Sequence, residues 1–179
     1  INKAIEEDTL KDIKTLKDAF KSAKGKRVHF IGLVSDGGVH SHQDQLIALA
    51  KAARESGCED MMVHAITDGR DTSPTGGQGY VSYVEDELAK YNARIATVIG
   101  RYYAMDRDRR WERTKLAWDA IVWGKGEKHA RLSCELPKPR NTRTCRISLT
   151  AAWRKIIRER IARSFLRPRM SRLMTSSRR

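Results

Sequence analysis

Cysteine is scarce in this chain of 179 residues, with Cys58, Cys134 and Cys145 making up the full set. Their wide spacing does not suit a metal site. Their odd number argues against a disulfide framework and for a reducing compartment, so the cytoplasm is the expected location. Long apolar runs are missing as well, and no stretch reads as a membrane span. There is no initiator methionine: the chain starts at Ile1, and INKAIEEDTLKD is acidic and amphipathic, unlike a signal peptide. The chain is therefore expected to begin inside something longer. One region also lacks acid. Residues 1–127 hold 20 basic and 20 acidic side chains, whereas residues 128–179 hold 16 basic and only 2 acidic ones. The entire net charge of +14 thus lies in the tail, where arginine displaces lysine. Two compositions meet near Glu127 and have to be read separately, as a body (1–127) and a basic tail (128–179).

What the body contains is regular. Residues 3–23 carry apolar side chains at helical spacing (Ile5, Leu10, Ile13, Leu16, Ala19 and Phe20) ahead of Gly25. A strand, a polar loop and a helix then recur three times. The strands are VHFIGLV (28–34), MMVHAIT (61–67) and ARIATVIG (93–100). The helices are QDQLIALAKAARESG (43–57), YVSYVEDELAKY (80–91) and WERTKLAWDAIVWG (111–124). This alternation predicts an α/β fold. Three βα units form part of an open, mostly parallel sheet with helices on both faces, preceded by an N-terminal helix. Stripes such as Leu46, Leu49 and Ala53, or Leu116, Ala120 and Trp123, are expected in the core.

Parallel strands put all three strand-to-helix loops on one edge, where open α/β sheets bind ligands. The loops are rich in chemistry. The first, SDGGVHSH, offers Asp36, two glycines, His40 and His42 ahead of a helix N-terminus, which favours an anion. Asp36 and Ser41 also suit a turn and a cap, and one of the histidines a local hydrogen bond. The second contains DGRD (68–71), in which Arg70 can fork onto an anion while an acid orients it, or a carboxylate can act as general base. The same four residues would also make a turn with an internal ion pair. The third, GRYYAMDRDRRWER, holds five arginines, with Arg101 and Arg107 at the strand exit and the far side of the loop. Together the three clusters suit a small polyanion such as a phosphorylated hydroxy acid, with loop 71–79 as a mobile cover.

GLVSDGGVHSH, TDGRD and GRYYAMDRDRRWER, in this order and spacing, closely resemble the cofactor-independent (2,3-bisphosphoglycerate-independent) phosphoglycerate mutases. The likeness runs from Ile1 to about Glu127. It implies the glycolytic interconversion of 3-phosphoglycerate and 2-phosphoglycerate with no requirement for 2,3-bisphosphoglycerate. The family uses a phosphoserine and two metal ions, usually manganese, in one domain. An inserted α/β domain grips the glycerate, and this chain resembles the opening portion of that domain. By motif, His40, Arg70, Asp71, Arg101 and Arg107 correspond to substrate-binding residues, and Asp71 to the catalytic base on the glycerate hydroxyl. His42 matches the motif without a substrate role. The resemblance implies a usually monomeric enzyme whose partner is the phosphoglycerate itself. It places the nucleophilic serine, all metal ligands and a later RADR motif outside this sequence, so the chain is expected to lack mutase turnover, to hold no metal and to be poorly stable alone.

The tail is expected to fall outside the family likeness. ISLTAAWRKIIRERIARSFL reads as a basic amphipathic helix, which would suit an anionic membrane or RNA. The alternative function is therefore a non-catalytic polyanion-binding module with a recruiting tail. No aromatic platform or nucleic-acid motif accompanies the stretch. The preferred reading is that residues 128–179 are a frameshifted or non-native sequence, irregular or loosely helical, with neither a nucleic-acid nor a membrane partner.

Overall fold

The computed structural model describes residues 1–129 and 148–150. Three strands, β1 (Arg27–Val34), β2 (Asp60–Thr67) and β3 (Ala93–Gly100), lie parallel in the order β1-β2-β3. Their bounds match the apolar runs to within a residue. Helix α3 (Gln43–Glu55) connects β1 to β2, and α4 (Gly77–Ala89) connects β2 to β3. After β3 come a single turn, α5 (Arg101–Ala104), and then α6 (Trp111–Trp123), which ends at Gly124 in the left-handed conformation. Two short strands extend the sheet beyond β3. Ser148–Thr150 (β5) runs antiparallel to β3, and Glu127–His129 (β4) pairs in parallel with β5.

The sheet is covered on both faces, by different helices. Consecutive residues of a strand point to opposite sides, and Met61 and Met62 accordingly enter separate apolar clusters. One cluster joins Met61, Val63, Ala65, Ile95 and Val98 to Ile47, Ala50 and Ala53 of α3 and Val81, Val84 and Leu88 of α4. The other joins Met62, Ala96 and Ile99 to Ala117 and Ala120 of α6. The small alanines at the contacts let the helices approach closely. Each fully buried Met or Val contributes about 1.5–3 kcal/mol, and β2 is buried from Met61 to Thr67. The pairing register between β2 and β3 shifts at Val63/His64, so that His64 stands opposite Thr97.

Four sequence expectations change here. The N-terminal helical segment is broken into α1 (Asn2–Glu6), a 3-10 turn (Leu10–Asp12) and α2 (Lys14–Ser22). The break falls at Asp8, whose φ is +53° and whose carboxylate binds Lys11 and, from α3, Lys51 at 2.6 Å. Those contacts fold Leu10 and Phe20 onto the first cluster. The stripe on α6 is only partly core. Ala120 is buried, but Leu116 and Trp123 are exposed, together with Trp111 and Trp118; among the described residues α6 packs onto Met62, Ala96 and Ile99 through Ala117 and Ala120. The expected cover over residues 71–79 is shorter than proposed, since residues 77–79 are already the first turn of α4. In the tail, Ser148–Thr150 is strand where the basic helix was expected; the rest of that stretch lies outside the described residues.

Candidate functional site

The C-terminal ends of β1, β2 and β3 lie side by side, and each delivers a polar residue to the same edge. β1 ends at Val34, and the next residue, Ser35, is buried. β2 ends at Thr67 ahead of Asp68, which is 2% exposed. β3 ends at Gly100, and Arg101 opens α5. The Asp68 carboxylate ties the three together. Its Oδ2 accepts from Ser35 Oγ at 3.2 Å, and its Oδ1 accepts from Arg101 Nη1 at 2.5 Å. Oδ1 also receives the backbone N–H groups of Arg70 (3.0 Å) and Asp71 (3.1 Å). This is an Asx-type turn, and it needs the positive φ (+91°) that Gly69 supplies.

Charge is concentrated around this node. The Arg101 side chain is 10% exposed and also donates from Nη1 to Asp71 Oδ2 at 2.8 Å. Burial acts against ionisation of Asp68, but the Arg101 guanidinium and the two backbone amides outweigh it and hold the carboxyl below its ordinary value. Burial likewise opposes the charge on Arg101, and the hydrogen bonds to Asp71 and Asp68 reverse that effect and raise its pKa. His40 Nε2 stands 3.6 Å from Asp71 Oδ2 across the edge, with its side chain 52% exposed. The structure thus brings His40, Asp71 and Arg101 into one contiguous cluster. Arg70 is anchored there through its backbone, while its side chain projects to the surface. Arg107 is exposed, and no hydrogen bond or ion pair joins it to the cluster among the described residues.

The loop bearing Arg107 has its own anchor. The Asp106 side chain is buried and accepts from the Arg110 N–H at 2.8 Å and from Arg113 at 3.2 Å, while Arg113 also lies 3.9 Å above the Tyr102 ring. Of the five arginines in this motif, Arg101 and Arg113 are therefore committed internally. His42 serves locally: it is the N-cap of α3, and its Nδ1 accepts from the Asp44 N–H at 3.2 Å. Ser41 donates to the Leu33 carbonyl at 2.6 Å.

The first and second loops also pack against each other. A Cβ on Gly37 would lie 2.7 Å from the Thr72 methyl, so only glycine fits as the chains stand. The Asp36 carboxylate beside the Tyr80 hydroxyl, aided by burial, pushes that phenol upward. Reasoning from sequence missed the roles of Ser35, Asp68 and Asp106. The signal available for Asp68 was an acid followed by glycine at the end of a strand.

Residues 1–142 match the family described as BPG-independent PGAM N-terminus. The chain belongs to the BPG-independent phosphoglycerate mutase family. A 2,3-bisphosphoglycerate-independent phosphoglycerate mutase of Akkermansia muciniphila is 54% identical over 127 residues, which is 71% of this chain and 25% of that protein. The mutase of Onchocerca volvulus is 50% identical over 131 residues, again 25% of its length. Among solved structures, a Leishmania mexicana phosphoglycerate mutase crystallised at low cobalt concentration superposes with a TM-score of 0.72 at 28% identity, covering 83% of this chain and 30% of that one. The chain spans about a quarter of the length of these curated relatives.

Among the described residues no three His, Cys, Asp or Glu side chains converge as a metal set would require. Among the same residues no helix is long and apolar enough to cross a membrane.

Proposed function

We propose that residues 1–127 form the part of a phosphoglycerate mutase that grips the glycerate, and that the intact enzyme interconverts 3-phosphoglycerate and 2-phosphoglycerate. In this reading His40, Arg70, Arg101 and Arg107 hold the carboxylate and phosphate of the substrate. Asp71 takes the proton of the glycerate hydroxyl. The observation that carries the reading is the junction of His40, Asp71 and Arg101 at one sheet edge.

Electrostatics supports the assignment. Among the described residues Arg101 engages its two carboxylates through Nη1, leaving Nη2 and Nε for an anionic oxygen. Asp71 uses Oδ2 for Arg101, and its Oδ1 makes no contact among the described residues. A base needs such an unengaged oxygen within reach of the hydroxyl. Arg70 and Arg107 are exposed, and neither side chain makes a hydrogen bond or ion pair among the described residues. With the nucleophile and metals assigned to other parts of the intact enzyme, this chain positions the substrate but does not transfer phosphate.

Titration of the chain with 3-phosphoglycerate, followed by backbone amide NMR, tests the assignment. Saturable shifts at His40, Arg70, Asp71 and Arg101, with no mutase turnover when manganese is added, are the expected result. Shifts confined to the lysines of α2, or none at all, would refute the binding assignment. Turnover by the chain alone would refute the division of labour.

A further inference from the structure

We propose that Asp68 is the positioning residue of this site and holds the Arg101 guanidinium in place independently of Asp71. The inference rests on the substrate-gripping role proposed above and adds a residue to it. An aspartate in a turn needs no charge to accept from two backbone amides; an asparagine oxygen would do the same. Asp68 does more than that. Its four donors come from the ends of β1, β2 and β3, three on Oδ1 and one on Oδ2 of a carboxylate that is almost wholly buried.

Arg101 therefore has two counter-ions of different character. Asp68 is buried and kept ionised by its surroundings. Asp71 is more exposed and carries the proposed proton-accepting role. When Asp71 accepts a proton, its hold on Arg101 weakens at the moment the guanidinium has to stay on the substrate. Asp68 is then the only full negative charge in contact with Arg101 among the described residues, and the Ser35 hydroxyl on its other oxygen fixes its orientation. Without it Arg101 would follow Asp71, and the two would move as a free pair.

The test compares Asp68→Asn, Arg101→Gln, the double variant and Ser35→Ala in the full chain, with 3-phosphoglycerate as probe. The amide introduced by D68N would still cap the turn but would carry no charge toward Arg101. Affinity is expected to fall roughly tenfold or more in D68N, with the Asp68 change adding less than about twofold once Arg101 is already glutamine. S35A should lie between D68N and the unmodified chain while keeping the fold, so the prediction stands even if D68N unfolds. Unchanged affinity in D68N or S35A, or fully additive losses, would overturn the proposal. Should the unmodified chain bind no phosphoglycerate, the substrate assignment fails, and Asp68 is then judged on the ligand-free chain. There the side-chain Nε–H resonance of Arg101 should keep its position in Asp71→Asn and lose its dispersion in D68N, or be displaced in S35A if D68N does not fold. The opposite pattern, or no change in either the Asp68 or the Ser35 variant, would overturn the positioning role.

Discussion

Acidification should destabilise this domain through one imidazole. His64 lies in β2 and is 1% exposed. Its Nδ1 is 3.0 Å from Thr97 Oγ1, and its Nε2 is 3.0 Å from His29 Nδ1. Burial, with charge on His29 acting in the same direction, lowers its pKa from 6.5 to about 4. The folded state thus disfavours the proton that the unfolded state takes up readily. Above the unfolded value both states are neutral and stability is not affected. As the pH drops through the window from about 6.5 to about 4, the unfolded chain binds the proton first and folding weakens. At pH 5 an unfolded histidine is almost fully protonated and the buried one only about a tenth so, which corresponds to about 2 kcal/mol lost between pH 7 and pH 5. Chemical denaturation at the two pH values, on the unmodified chain and on His64→Gln, isolates this contribution, since the carboxylates stay largely ionised in that range. The unmodified chain should lose about 2 kcal/mol more than the variant. Equal losses, or an NMR titration placing His64 near its ordinary value, would refute the argument.

Two further outcomes follow from packing. Gly37→Ala should destabilise the chain by about 1–3 kcal/mol because its new methyl meets Thr72. Thr72→Ser, which removes that methyl, should restore most of the loss in a denaturation series. Trp118→Gln should change stability by less than about 0.5 kcal/mol, since this indole is 59% exposed on α6; a loss several times larger would mean that its outer face is covered.

Much of this architecture is legible in the sequence because its signals are local. An apolar run ended by a polar loop marks each strand, and Gly57 and Gly124 mark the ends of two helices. Parallel alternation then requires all three loops to share an edge. The features that escape depend on contacts between distant residues. The break at Asp8 is fixed by Lys51, 43 residues away. Arg101 meets Asp68 across 33 residues, so nothing local shows which of the five arginines is buried. Periodicity identified Leu116 and Trp123 as sharing a face with Ala120, but a period shows which residues align and not whether anything lies over them. The same limit applies to Arg107, which its motif singles out and whose side chain makes no bond to the cluster among the described residues.

The uneven cover of the sheet sets the order in which it comes apart. On the face where α6 shields β3, the first part of β1 is left open, and Ile31 is 59% exposed. Solvent deuterium should therefore reach the amides of β1 well before those of β2, which is flanked on both sides and packed above and below. Unravelling should begin at the Ile31 side, and β2, which leads into Asp68, should outlast β1.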